Sequence, residues 1–264
     1  MRRRSALTGL AGLAALPAWL AAPAFGAAGE VREALVIGNS AYRDLPLRNP
    51  GNDAAAVHRS LRGMGINARL VRDADWRQMI EVVHAFILQT EQADLRLLYY
   101  AGHGAQVHGR NYLIAIDAPM TSSDELAARS LDASEILERL GRRRKGLNLL
   151  ILDACRNNPA SQYRLLADGR RIKVRGAASG LAAMQVPKGA LVAFATAPGS
   201  VADDGQSGSN SLYTRHLLRH IATPGLALEQ MFKRVRVGVM QESGERQRPW
   251  EESSLTTDYC LAGC

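Results

Sequence analysis

A histidine between two glycines, Gly102-His103-Gly104, and a cysteine alone in mid-chain, Cys155, are the residues whose types and placement could do covalent chemistry. A thiol with a free pKa of about 8.5 is only slightly ionised at neutral pH. An imidazole beside it raises the thiolate fraction or takes its proton during attack, and can then protonate a leaving amine. Glycines on both sides of His103 permit tight or positive-φ backbone and leave the Gly104 N–H free to meet a substrate carbonyl. Paired with the N–H of Cys155 it would form an oxyanion hole, in which one donor is worth about 3 kcal/mol of transition-state stabilisation. Taken singly, each residue has a plainer account. A lone cysteine serves as a small buried hydrophobe, and a histidine between glycines as a turn residue.

What favours the chemical account is the pair of elements that must carry them. Leu95 to Ala101 reads as a buried strand running straight into Gly102-His103-Gly104, and Leu147 to Leu152 as another ending at Asp153-Ala154-Cys155. Further strands are expected at 34–38, 66–71 and 190–195, and part of a hairpin at 112–116. Between them the 3.6-residue period predicts helices: one capped by Asn52 or Asp53 and ending at 63–65, then 75–88, 134–140, 213–221 and 226–240. This alternation implies an α/β fold with a mainly parallel central sheet covered on both faces. In such a sheet functional groups gather beyond the carboxyl ends of strands about 5 Å apart, so His103 and Cys155 are expected on one edge. Residues 156–188 lack a clear period and form a long insertion in that alternation.

The two motifs, Leu98-Tyr99-Tyr100-Ala101-Gly102-His103-Gly104 and Ile151-Leu152-Asp153-Ala154-Cys155-Arg156-Asn157-Asn158-Pro159, resemble the His and Cys motifs of caspase-like cysteine peptidases. The sequence is most similar to the bacterial caspase homologues, the orthocaspases, and to metacaspases, and their separation of about fifty residues matches. The likeness extends to Ala34–Tyr42, Leu47–Ala54 and Tyr112–Asp117, and so covers most of residues 32–222. It implies a caspase-like three-layer α/β/α sandwich and a cysteine endopeptidase using a Cys155–His103 dyad through a thioester acyl-enzyme, with Gly104 and Cys155 giving the oxyanion donors. It further implies cleavage after Arg or Lys, with Asp53 and Asp153 as the acids that bind the substrate cation in S1. Left to their local sequence, Asp53 could equally be a helix cap and Asp153 a strand-end turn former. Family members are often cut in the loop after the nucleophile, and Arg164, Arg170, Arg171, Lys173 and Arg175 would suit self-processing. The segment departs from the Ser-Cys-His-Ser-Gly pattern common in metacaspases, no calcium-binding acidic cluster is evident, and no metal or other cofactor is expected. The readings that compete are an inactive caspase-fold interaction or regulatory module and a related peptidase with a different P1 preference. No Gly-rich phosphate motif or Walker lysine follows any strand, which argues against a nucleotide-binding sheet.

Residues 1–28 read as a secretory signal: Arg2-Arg3-Arg4, an apolar run from Leu7 to Leu20, and small residues around Ala22–Ala24 or Gly26–Ala28. The Arg pair faintly resembles a twin-arginine signal. Gly12 and Pro17 interrupt the run, which falls short of the roughly 20 residues of a membrane span, so no stable span is expected after cleavage. A periplasmic or secreted peptidase domain over 29–250 with a tail at 251–264 is the organisation expected. The chain carries a formal charge of +8, and losing the segment removes three of its arginines and no acid. Without basic residues clustered among aromatics, a nucleic-acid partner is not expected; protein or peptide substrates with basic P1 residues are. Cys260 and Cys264 close the chain and in an oxidising compartment could form a small ring or link two chains.

Overall fold

The computed structural model describes residues 29–119, 122–142, 145–155, 163–165, 171–173, 181–197 and 208–264. The strands, in chain order, are β1 (Arg32–Gly38), β2 (Asn67–Arg72), β3 (Leu95–Val107), β4 (Arg110–Ile114), β5 (Ser130–Asp132), β6 (Leu147–Cys155), β7 (Tyr163–Leu165), β8 (Arg171–Lys173), β9 (Ala190–Phe194) and β10 (Trp250–Ser253). The helices are α1 (Pro50–Gly63), α2 (Trp76–Gln89), α3 (Ser123–Ala128), α4 (Ala133–Gly141), α5 (Leu212–His220) and α6 (Leu228–Ser243).

The central sheet runs in the order β2-β1-β3-β6-β9-β10, with all neighbours parallel except β10, which lies antiparallel to β9. Its inner strands carry apolar runs, Ala34–Ile37, Leu97–Ala101, Leu149–Leu152 and Ala190–Phe194, because both faces are covered there. Alternate residues of one face, among them Val36, Leu97, Tyr99, Leu149, Ile151 and Leu191, pack with Val57 and Leu61 of α1, Leu217 of α5 and Val235 of α6. The opposite set, among them Ile37, Leu98, Tyr100, Leu150, Leu152 and Phe194, meets Met79, Val83 and Phe86 of α2 and Ile136, Leu137 and Leu140 of α4. The result is the expected three-layer α/β/α sandwich with a mainly parallel sheet.

Several elements differ from the sequence reading, each for a physical reason. β3 does not stop at Ala101. It carries Gly102-His103-Gly104 within it and turns its last residues away from β6 to pair antiparallel with β4, Gly104 standing opposite Leu113. α1 starts earlier than expected: Asn49 is its N-cap and Pro50 sits in its first turn, where a missing N–H costs nothing. Asp53 is therefore inside the helix, not its cap. The insertion at 156–188 contains a small hairpin, β7 with β8, which places Arg164, Arg171 and Lys173 in paired strands; Arg170 and Arg175 lie outside the described residues. Leu181 and Met184 from the end of that segment are buried in the core beside α4. The end expected for the domain at residue 250 falls inside β10, and beyond it the chain stays attached. Tyr259 O accepts from Leu228 N, Gly263 O from Gly225 N, and Cys260 is joined to Cys264 by a disulfide. Residues 1–28 lie outside the described residues, and among those described no helix is long and apolar enough to cross a membrane.

Candidate active site

Parallel pairing of β3 with β6 sets Ala101 beside Asp153, Gly102 beside Ala154 and His103 beside Cys155. Neighbouring strands lie about 4.8 Å apart, so the backbones of the two candidate dyad residues are held at strand spacing by the sheet itself. On its other side β3 pairs with β1, whose last residue Gly38 stands opposite Ala101. A Cβ on Gly38 would lie 2.4 Å from the carbonyl oxygen of Pro50, so the close seating of α1 on the sheet edge depends on that glycine.

His103 is buried and held at four points. Its Nε2 lies 2.8 Å from the carbonyl oxygen of Leu45. Since a carbonyl only accepts, Nε2 carries the proton and the lone pair of the neutral ring sits on Nδ1. The His103 N–H donates to the Tyr42 hydroxyl at 2.8 Å, and the Tyr100 hydroxyl donates to the His103 carbonyl at 2.7 Å. The Tyr42 ring leans on the imidazole with centroids 4.4 Å apart. Burial holds the imidazole below its ordinary pKa, and the bond to Leu45 offsets this only in part. The ring is thus kept neutral, the form that can accept a proton.

Gly102 occupies φ +154°, and a Cβ there would fall 2.5 Å from the Tyr42 hydroxyl and 2.7 Å from that of Tyr100. The two phenols fill the space that a side chain would need. They are in turn tied to β4, since Ile114 O accepts from Tyr42 at 3.2 Å and from Tyr100 at 2.9 Å.

Asp53 and Asp153, 100 residues apart in sequence, are brought together by the start of α5. One oxygen of Asp53 accepts from the Ser211 N–H and from the Asn210 side-chain amide, each at 2.9 Å. One oxygen of Asp153 accepts from the Ser211 hydroxyl at 2.5 Å, from Thr214 Oγ1 at 2.7 Å and from the Tyr99 hydroxyl at 3.4 Å. Ser211 therefore touches both acids, and its hydroxyl also caps α5 by accepting from Thr214 N. Two carboxylates at a helix N-terminus are favoured by the orphan N–H groups and dipole there. Burial, followed by the nearby charge of Asp153, pushes the Tyr99 and Tyr213 hydroxyls well up, so both stay protonated.

The structure thus brings His103 and the backbone of Cys155 together on one pair of strands, and Asp53 and Asp153 together through Ser211. Gly104 follows His103 within β3. Sequence reasoning missed Tyr42, Tyr100, the Leu45 carbonyl, Tyr99, Asn210, Ser211 and Thr214. A signal existed for Ser211 alone, as a serine two residues before a predicted helix start. Among the described residues no group of three or more His, Cys, Asp or Glu could hold a metal ion.

The family model described as the caspase domain matches residues 31–260. The human mucosa-associated lymphoid tissue lymphoma translocation protein 1 is 33% identical over 124 residues, 47% of this chain and 15% of that protein. Its mouse homologue is 32% identical over 124 residues, again 47% of this chain and 14% of the mouse protein. The match therefore spans under a sixth of the length of these curated relatives.

Proposed function

We propose that this chain, which belongs to the caspase-domain family, is a cysteine-type endopeptidase that cuts after Arg or Lys with Cys155 as nucleophile and His103 as general base. The observation that carries the reading is the register of β3 on β6, which pairs His103 with Cys155, together with a buried neutral imidazole whose Nδ1 keeps the lone pair. In the proposed reaction the thiol proton passes to His103 as sulfur attacks the scissile carbonyl. The C–N bond then breaks to leave a thioester, the imidazolium gives its proton to the departing amine, and water hydrolyses the thioester with His103 again as base. The N–H groups of Gly104 and Cys155 are assigned to the oxyanion. No metal or other cofactor enters these steps, and the partners are protein or peptide substrates.

Preference for a basic P1 residue rests on Asp53 and Asp153. Hydrogen bonds from a guanidinium or ammonium to an ionised carboxylate are about twice as strong as neutral ones, and two buried carboxylates joined through Ser211 suit a cationic side chain. Action in the periplasm or outside the cell, after loss of residues 1–28, is supported by the Cys260–Cys264 disulfide, a bond that persists in oxidising compartments. That pairing also leaves Cys155 as the chain's remaining thiol. The test is a peptide-library assay of the wild type beside Cys155→Ala. Turnover confined to Arg and Lys at P1, and lost in the variant, is the expected result. Turnover that survives the substitution refutes the nucleophile, and cleavage after other residues refutes the acidic pocket.

A further inference from the structure

We propose that Tyr42 is a positioning residue of the catalytic centre: its hydroxyl fixes the backbone of His103 and its ring shields the imidazole from water. The inference rests on the reading of His103 as the general base. Three independent contacts carry it. The hydroxyl takes the His103 N–H at 2.8 Å, the ring packs on the imidazole at 4.4 Å, and the hydroxyl is in reach of both the Tyr100 hydroxyl, at 3.1 Å, and the Ile114 carbonyl, at 3.2 Å.

Counting protons makes the arrangement directional. Ile114 N donates to the Tyr100 hydroxyl at 3.1 Å, and the single Tyr100 proton is shared between the His103 carbonyl at 2.7 Å and the Ile114 carbonyl at 2.9 Å. The Tyr42 hydroxyl accepts from His103 N and keeps its own proton for Ile114 O or Tyr100. The two phenols thus hold the N–H and the C=O of one residue, and β4 holds the phenols. A backbone clamped at both polar groups leaves the imidazole its side-chain torsions to vary, and the Leu45 carbonyl fixes those by taking Nε2–H. Gly102 is the residue that makes room, since a Cβ there would collide with both hydroxyls.

Both parts of Tyr42 are therefore separable by substitution. Tyr42→Phe keeps the ring and removes the bond to His103 N. Tyr42→Ala removes both and opens the imidazole to solvent. A displaced general base lowers kcat while substrate binding persists, and misplacement by about 1 Å costs on the order of 100-fold.

The experiment uses the full chain. Steady-state kinetics on an Arg substrate are measured for wild type, Tyr42→Phe and Tyr42→Ala as a function of pH, and the His103 imidazole is titrated by NMR in each background with Cys155→Ala present. Tyr42→Phe is expected to lose kcat about 10- to 100-fold with KM little changed and the imidazole midpoint unmoved. Tyr42→Ala is expected to raise that midpoint toward the ordinary histidine value and to carry the acid limb of kcat/KM upward with it. Wild-type kcat in Tyr42→Phe overturns the proposal, as does an unmoved midpoint in Tyr42→Ala; should the alanine variant not fold, the phenylalanine variant decides alone. The two readings fail differently. A wild type that cleaves nothing refutes the peptidase, whereas an active wild type indifferent to Tyr42→Phe refutes only the clamp.

Discussion

Replacing Ser211 by alanine tests whether the acidic pair is a built site or a by-product of helix capping. The hydroxyl does two things: it donates to Asp153 at 2.5 Å and caps α5 by accepting from Thr214 N at 3.0 Å. Loss of an N-cap costs about 1 kcal/mol, and loss of a hydrogen bond to an ionised, buried acceptor about 1.5–3 kcal/mol. The two share one oxygen and do not add in full, so a destabilisation of about 3 kcal/mol is expected, read from urea unfolding. Thr214→Val is the control. It is similar in size, lies fully buried, and removes Oγ1, which donates to Asp153 at 2.7 Å and lies 2.6 Å from the Tyr99 hydroxyl, while leaving the cap in place. Both variants loosen the same carboxylate, so both should lower kcat/KM on Arg substrates by about tenfold, the effect of about 1.4 kcal/mol. If both proteins lose stability but turn over Arg and Lys peptides at the wild-type rate, Asp153 serves α5 and not the substrate, and the acidic pocket is refuted.

Further expectations are separately testable. Asp153→Ala should abolish turnover of Arg substrates while thiol labelling at Cys155 persists, and unchanged turnover counts against S1. Gly102→Ala brings a Cβ onto the hydroxyls of Tyr42 and Tyr100 and should destabilise by about 1–3 kcal/mol in thermal or urea unfolding. His103, His216 and His220 are all held below the ordinary value, burial being the largest cause in each. The unfolded chain therefore binds more protons as pH falls through about 6.5, and stability should drop there with a slope of up to about 1.4 kcal/mol per pH unit from buried His103, and less from His216, where Glu242 opposes the shift, and from the more exposed His220. Urea midpoints equal at pH 7.5 and pH 5.5 would contradict this. Replacing Cys260 and Cys264 by alanine opens a loop of five residues and should cost about 2 kcal/mol by chain entropy, with kcat unchanged, since the tail packs by α6 away from the dyad.

Much of the fold was legible because β1, β3, β6 and β9 each hold a run of four or more apolar residues, and the helices between them keep one apolar stripe each. The continuation of β3 through Gly102–Val107 was not, because two glycines, a histidine and a glutamine carry no strand period; pairing with β4 holds it extended. β10 is Trp-Glu-Glu-Ser, an edge strand paired on one side, so its composition reads as a surface segment. β7, β8 and α3 are too short for a period to show. In α1 the sequence does carry the signal, Asn49-Pro50 being a cap followed by a first-turn proline, but Asn52 offers a competing cap and so does Asp53. Its true partners, Asn210 and Ser211, are more than 150 residues away, a pairing no local pattern encodes.

Strand β6 makes the proposed dyad and the acidic pair neighbours without making them one unit. Asp153 and Cys155 are two residues apart on it, but they are supported from different directions. Asp153 is held by α5 and Tyr99, whereas the backbone of Cys155 stands beside His103, which is held by Tyr42, Tyr100 and Leu45. Among the described residues, these hydrogen-bond partners of Asp153 and those of His103 are different residues. A change at Ser211 or Thr214 should therefore alter the preference for Arg over a neutral P1 residue and leave the His103 titration where it was. A change at Tyr42 should alter kcat for every substrate by the same factor and leave that preference intact. Combining Thr214→Val with Tyr42→Phe should give losses in kcat/KM that multiply, as expected for sites without shared partners. A double variant no worse than the weaker single one would mean that the two supports act through one element, and the separation argued from the hydrogen bonds would fall.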